Sequence, residues 1–485
     1  MKQRNILLVM SDQHGWMNTG FADERQDTPH LQRIAEDGVL FDHCYCNAPL
    51  CVPSRMSFLT GLMPSELGIF NNDSVLLSDV PTLAHELGRM GYETVLIGRM
   101  HFKGDDQRHG FDQHLYGDIT SQYWGTGGRS RRDFGIYAGT TNRLHCTEVA
   151  GGGISPVMVY DENVWQQAMN FLQRWETEGR AQPLFLLVGF YGPHFPFVCK
   201  EELYHKYQKR WSLEECGREA VMSALSCYED YIQECEAERM RNCRAAYSGL
   251  VERLDEYTGA LYDRFRQACK DKNHLFVYLS DHGEQLGKRG IFGKQSLYEH
   301  AVRVPLVMEG TGIAPGLCQE PVGLLDVSRT ILSLGALSNR EESEADGWHQ
   351  GKRIDLEHPD FGRHWIRIQQ MLEQKGAPVL AEAAVLGQYK VVQISGQWYV
   401  YDLEADPMEE RNLMESWPDK GQELVRMAEL AGCFADSDQR KSLVEQERKT
   451  RARHKRLKEW GRAKSPREWG TIHILPGMLK EPAES

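Results

Sequence analysis

Four apolar runs in this 485-residue chain end in side chains able to bind a cation or move a proton. Asn5-Ile-Leu-Leu-Val-Met10 leads into Ser11-Asp12-Gln13-His14-Gly15. Glu93–Ile97 leads into Gly98-Arg99-Met100-His101, Leu184–Phe190 into Gly192-Pro193-His194, and Leu275–Leu279 into Ser280-Asp281-His282-Gly283. Carboxylates with oxygen or nitrogen partners suit a divalent cation. Imidazole titrates close to working pH and suits proton transfer. A continuous apolar run that stops at polar groups reads as a buried parallel strand. Helical patterns alternate with the runs, at Thr28–Asp37, Val80–Met90 and Val157–Trp175. That alternation predicts an α/β fold: a large mixed, mostly parallel sheet sandwiched by helices, with ligands gathering outside the carboxyl ends of the strands. Strands that each end in Asp or His then point to one shared site.

The stretch from Tyr204 to Arg266 reads as helical and rich in charge. After about Gly376 the texture changes. Val379–Val385, Tyr389–Ile394 and Gln397–Asp402 are short strands with Gly turns, Pro407 closes them, and a helix follows. We therefore expect a catalytic domain over residues 1–375 and a smaller C-terminal domain over 376–485, with a short antiparallel sheet, a helix and a basic tail. Twelve Lys or Arg lie between Arg440 and Arg467, and Trp460 and Trp469 give that tail apolar anchors. The tail is expected to make a homo-oligomer contact or to cover neighbouring acidic surface ahead of binding substrate, with a solvated helix frayed at its end as the alternative.

Composition sets bounds on function. Hydrophobic residues at 41% and charged residues at 26% are ordinary globular values. A formal net charge of -13 argues against nucleic acid or an anionic membrane as a partner. No apolar stretch approaches the ~20 residues needed to span a bilayer. The run Ile6–Met10 is too short for a secretory signal, so a cytoplasmic location is expected. The twelve cysteines lack the spacing of a disulfide scaffold, and Cys44-x-Cys46 has no second pair to complete a zinc site.

Cys51-Val-Pro-Ser54-Arg55, continued by Met56-Ser-Phe-Leu-Thr60-Gly61, stands apart. Cys-x-Pro-Ser-Arg followed by Thr-Gly is the signature that marks a sulfatase for oxidation of its cysteine to formylglycine. The chain resembles that family over most of its length. Further matching segments are Thr28-Pro-His-Leu, Gly98-Arg-Met-His101, Pro193-His194, Asp281-His-Gly-Glu284, Arg303-Val-Pro-Leu306 and Tyr401-Asp-Leu-Glu-Ala-Asp-Pro407. The resemblance implies the alkaline-phosphatase-like superfamily and a sulfuric ester hydrolase with a formylglycine nucleophile at residue 51. It implies one divalent cation, Ca²⁺ with Mg²⁺ or Mn²⁺ as alternatives, held by Asp12, Gln13, Cys51, Asp281 and His282. Arg55 would orient the formylglycine hydroxyls, and His101 would deprotonate the one that collapses. His194 and Lys294 would assist the departing alcohol. Many members carry Asp at the Gln13 position, Asn at His282 and Lys at Arg99. Gln and His leave fewer negative charges on the cation, which opens the choice of metal. Arg99 keeps the charge of Lys without a proton to give, so it is read as a clamp on sulfate oxygens. Pro53, Ser54 and Arg55 read as the start of a helix whose amides and dipole face the anion.

The implied partners are a small sulfated substrate and the enzyme, formylglycine-generating or radical, that oxidises Cys51. Gly98–Asp112, Ala48-Pro-Leu-Cys51 and Leu67–Asn72 are similar to choline sulfatases and their bacterial relatives. Choline would need a cage, for which Tyr123, Trp124 and Asp105 are available. Aryl and carbohydrate sulfates stand beside it. Phosphonate monoester and phosphodiester hydrolases share the superfamily, the Cys motif and the Asp-Gln/Asp-His pairs, and form the alternative reading. A non-catalytic binder of sulfated ligands is the other. His14, His109 and His300 are given no catalytic role.

Overall fold

The first apolar run forms strand β1, Asn5–Asp12, with every residue buried. Ile6, Leu8 and Met10 face one core and Leu7 and Val9 another, as the two-residue period of a strand requires. This computed structural model describes residues 3–120, 146–147, 150–220, 223–270, 273–336, 348–356 and 364–464. The strands that follow are β2 (Val39–Tyr45), β3 (Glu93–Gly98), β4 (Gln113–Tyr116), β5 (Ala150–Gly152) and β6 (Leu184–Pro193). Then come β7 (Phe197–Cys199), β8 (His274–Ser280), β9 (Arg303–Gly310), β10 (Gly316–Cys318) and β11 (Val322–Gly323).

The main sheet has the order β10-β2-β9-β8-β1-β6-β3-β4, with β11 beside β2. The block from β8 to β4 is parallel, while β9 runs antiparallel to both β8 and β2. The sheet is thus mixed and mostly parallel. The four strands singled out by their polar ends, β8, β1, β6 and β3, are consecutive neighbours. Ser11 pairs with Ser280 and Asp12 with Pro193, which sets the acid and imidazole positions side by side at one edge. Helices Pro29–Asp37, Pro156–Glu178 and Ala237–Cys269 cover one face. Helices Cys51–Thr60 and Leu324–Gly335 cover the other.

A second sheet, antiparallel throughout, follows as β12 (Ile366–Gln374), β13 (Ala377–Leu386), β14 (Tyr389–Ile394) and β15 (Gln397–Asp402). Its first strand lies ahead of Gly376 and was not read from the sequence. Gln369 and Gln370 are both buried there, so the strand carries no clean polar alternation. The sheet also shares the core of the main domain. Ile366, Ile368 and Val392 pack into it, while Val391 and Val400 face the helix Pro418–Leu430. Buried Lys390 joins the two parts, donating to Glu299 Oε1 (3.0 Å) and Glu409 Oε1 (2.8 Å). A buried charge is tolerated only when paired in this way.

One stability prediction arises here. His349 is buried against Ser328 Oγ at 3.3 Å, and burial, then Arg329, push its pKa down to about 4. An unfolded histidine titrates near ~6.5. Between those values the unfolded chain binds a proton that the folded one does not. The contribution is therefore complete above about pH 6.5 and is lost as pH falls toward 4. Denaturant unfolding of His349→Gln should show a shallower loss of stability over that window, by about 1.4 kcal/mol per pH unit. Identical slopes for variant and parent would contradict it.

Candidate active site

Two glycines bring the β3 residues to the site. A Cβ on Gly98 (φ 90°) would sit 2.3 Å from Gly189 O, and one on Gly189 would sit 1.9 Å from Arg99 O. Without side chains there, the chain leaving β3 folds over β6, its Arg99 N–H donating to Gly189 O at 2.8 Å. His101 (φ 61°) and Gln13 (φ 74°) both hold the left-handed backbone that side-chain-bearing residues rarely adopt. Such strain persists where surrounding contacts over-determine the position.

The helix Cys51–Thr60 is buried along its whole length. It starts at Cys51, two residues before the expected Pro53. Pro53 falls in the first turn, where a missing N–H leaves no helical bond unmade. The Val52 N–H donates to Asn72 Oδ1 at 3.0 Å, and Gly61 closes the helix in the left-handed conformation. Cys51 Sγ lies 3.7 Å from Asp12 Oδ1 and 3.2 Å from His282 Nε2.

Around it the acids divide their oxygens. Asp12 Oδ2 accepts from Arg99 Nε (2.7 Å) and Arg55 Nη2 (3.2 Å). Asp281 Oδ2 accepts from Arg55 Nε (2.7 Å), and Asp281 Oδ1 accepts the Gln13 N–H (3.0 Å). Asp12 Oδ1 and Asp281 Oδ1 lie 3.7 and 3.5 Å from His282 Nε2. His282 Nδ1–H donates to Gly283 O at 3.0 Å, so its lone pair is on Nε2, among the carboxylates. One ligand atom each from Asp12, Cys51, Asp281 and His282 lies within 4.8 Å of the others, all fully buried. Carboxylate oxygens and a neutral imidazole nitrogen converging out of water form a donor set that fits a divalent cation. Burial would lift the Asp12 carboxyl, but Arg99, His194, Arg55 and Lys294 outweigh it and hold the group well below the usual range. Burial, then Asp12, push the Cys51 thiol up to about 11. A plain cysteine here stays protonated and is a poor nucleophile.

Arg99, read as an anion clamp, makes most of its bonds to the protein. Nη1 donates to Asp118 Oδ1 (2.8 Å) and Thr120 Oγ1 (3.1 Å), Nη2 to His101 Nδ1 (2.8 Å), and the guanidinium lies 4.5 Å from the Tyr191 ring centroid. With Nε on Asp12, four of the five guanidinium N–H groups are committed to protein groups, and one Nη2 N–H remains for an anion. Arginine only donates, so His101 Nδ1 accepts and the neutral ring carries its proton on Nε2. His101 therefore enters the site as a donor, whereas the resemblance implied a base. Asp118 Oδ2 also accepts the His101 N–H at 2.9 Å. Asp118 was missed because nothing in its local sequence sets it apart.

Burial, then Lys294, hold His194 well below the ordinary histidine range. Its Nδ1–H donates to Phe195 O at 2.7 Å, and its Nε2 is buried without a partner among the described residues. Lys294 Nζ donates to Gln13 Oε1, and Gln13 Nε2 to Glu284. Glu284 Oε1 in turn accepts the Leu286 and Gly293 N–H groups, each at 2.7 Å, pinning the loop that carries Lys294. As placed, Gln13 gives its amide oxygen to Lys294, and joining a cation would mean releasing that bond.

A cavity of about 610 Å³ opens from the site, with Leu50, Asn72, Phe195 and Lys294 in its lining. Its far wall is the C-terminal helix Ser437–Lys464, through Arg451, His454, Lys455 and Lys458. That helix covers acidic surface as expected, pairing Arg440 with Glu382, Arg451 with Glu373 (3.2 Å) and Lys458 with Asp73. Its place beside the catalytic groups was not favoured by the sequence. Of the expected choline cage, Tyr123 and Trp124 lie outside the described residues, as does Trp469 of the tail. Asp105 is exposed and is not among the described residues lining the cavity.

The architecture recurs in a solved phosphonate monoester hydrolase of Agrobacterium radiobacter, with a TM-score of 0.66 over 93% of this chain and 96% of that one at 19% identity. That likeness is one of fold. Residues 4–336 match the family model described as Sulfatase, and the chain belongs to the sulfatase family, hydrolases of sulfuric esters. It is similar to a choline-sulfatase of Rhizobium meliloti (strain 1021), 32% identical over 443 residues that cover 85% of this chain and 82% of the relative. An arylsulfatase of Clostridium perfringens (strain 13 / Type A) is 25% identical over 448 residues, 85% of this chain and 90% of its own.

Proposed function

We propose that the enzyme cleaves sulfate monoesters with a formylglycine made from Cys51, assisted by one divalent cation held by Asp12, Asp281, His282 and residue 51. The observation that carries this reading is the start of a buried helix at Cys51, within 4.8 Å of two carboxylates and an imidazole. Once oxidised and hydrated, residue 51 presents two hydroxyls on one carbon. One attacks sulfur as the alcohol leaves. The other then gives up its proton to the Nε2 lone pair of His194, emptied when the alcohol took up the first proton, and sulfate departs as its bond to that carbon breaks and the aldehyde re-forms, so one hard displacement becomes two easier steps. The cation would supply polarisation of the sulfate and a lowered pKa at the attacking hydroxyl. Arg55 holds both carboxylates in register. Lys294 places a positive charge beside His194, whose unpartnered Nε2 can relay the proton of the departing alcohol. His101 donates from Nε2.

Cys51 is fully buried, so the maturation enzyme must act before this region closes. The described cysteines are all free thiols, which supports a reducing, cytoplasmic compartment. Among the described residues no helix is long and apolar enough to cross a membrane.

The reading is tested by mass spectrometry of the peptide containing residue 51, which should show the aldehyde in the active enzyme. Rates on 4-nitrophenyl sulfate and bis(4-nitrophenyl) phosphate should favour the sulfate. A faster phosphate diester would hand the site to the phosphonate and phosphodiester hydrolases. Asp281→Asn removes one anionic donor and weakens the grip of Arg55. We expect a loss of about 10²-fold at low metal, partly recovered by added divalent cation. Full activity of the parent enzyme in chelator would rule the cation site out.

A further inference from the structure

Seven Lys or Arg lie between Arg448 and Lys458, in a chain whose formal net charge is -13. Several are anchored. Arg448 pairs with Glu445 at 2.8 Å, Arg451 with Glu447 at 2.7 Å and Glu373 at 3.2 Å, and Lys458 with Asp73. Glu447 also accepts from Asn71 Nδ2 at 2.9 Å. Asn71 and Asp73 flank Asn72, the residue that receives the Val52 N–H at the start of the nucleophile helix. The C-terminal helix is therefore fixed to the same short loop that touches the nucleophile helix. Lys455 lines the cavity, is exposed, and makes no ion pair among the described residues. Glu459 lines the same cavity, as do Asp73 and Glu373, but these three carboxylates are outnumbered by Lys294, Arg451, Lys455 and Lys458.

We propose that this helix is the leaving-group wall of the active site, and that Lys455 favours sulfate esters whose leaving group carries a second negative charge. The proposal rests on the sulfatase reading. With the ester sulfate between residue 51 and Lys294, the leaving group must run through the cavity toward Lys455. A carboxylate or further sulfate there meets an available cation, whereas a quaternary ammonium meets repulsion. The cationic helix also draws anionic esters to one mouth of a protein that otherwise repels them.

The test compares kcat/KM for 4-(sulfooxy)benzoate, its uncharged methyl ester and choline sulfate, in the parent enzyme and in Lys455→Glu. The parent should favour the benzoate over both others. The variant's benzoate-to-ester ratio should fall about tenfold, and its choline-to-ester ratio should rise. Added salt should narrow the parent's preference. A ratio untouched by the charge reversal, or a parent that prefers choline sulfate, would overturn the assignment. A parent that turns over none of the three esters would sink the sulfatase reading itself, and this proposal with it.

Discussion

Cys51→Ala should lower kcat on an aryl sulfate by on the order of 10⁴ or more while the protein stays folded and still binds a divalent cation. The side chain removed is small and lies at the start of a helix whose other nine residues remain packed. The Asp12, Asp281 and His282 donors, with Arg55 holding the outer carboxylate oxygens, are untouched. A thermal-shift measurement should therefore still show stabilisation by the cation, smaller than the parent's by the one ligand that residue 51 supplied. Cys51→Ser separates the two halves of the mechanism. Serine offers one hydroxyl, enough to attack sulfur but without the second hydroxyl through which sulfate is expelled. A single burst of alcohol, no more than one per enzyme, is the expected trace, followed by arrest. Steady turnover by either variant within tenfold of the parent would end the formylglycine mechanism.

What the sequence could show about this site follows from where each residue sits. Asp12, His194, Asp281 and His282 end or directly follow strands that are buried along their whole length and mostly apolar, because both faces of the sheet are covered. Run and terminus are contiguous in the chain, so the contrast is visible before folding. Cys51 and Arg55 came from motif resemblance, as did the role given to His101, whose place at a strand end was read from the residues. The partners of Arg99 were not legible. Asp118 lies nineteen residues on, past β4, and reaches Arg99 only because the paired glycines at 98 and 189 turn the backbone over β6. Likewise β12 was hidden by two consecutive buried glutamines. The cavity wall from the C-terminal helix depends on Lys458 meeting Asp73 across 385 positions, a contact that no local pattern encodes. The sequence offered that helix either an oligomer contact or a cover for acidic surface, and its cations do pair with acids. Which acids, and hence which cavity, is a property of the tertiary fold.

Arg99→Lys should cost far more than a conservative exchange of one cation for another. A clamp on sulfate oxygens would survive the change with a weaker KM and a kcat within about tenfold, near 1.4 kcal/mol in the barrier. The structure predicts a different outcome. Arg99 spans Asp12, Asp118, Thr120 and the His101 ring with separate donors of one rigid, fully buried fork. A single ammonium cannot occupy those directions together. Losing the bond to His101 Nδ1 frees the ring to change tautomer, and losing the bond to Asp12 loosens an oxygen beside the nucleophile. We expect kcat to fall by about 10²-fold, roughly 2.7 kcal/mol, with the pH optimum displaced because His101 loses the Nη2 bond that fixes its protonation site, although the charge at residue 99 remains. Asp118→Asn keeps the shape of the Arg99 contact and removes its charge, so its loss should be smaller. The double variant should fall short of the product of the two single losses, since both changes break one network. Measured pH profiles of kcat for all three variants decide the matter. An Arg99→Lys enzyme with a raised KM, a kcat within tenfold and an unmoved pH profile would show that Arg99 acts on the substrate, and that the Asp118 network only holds it there.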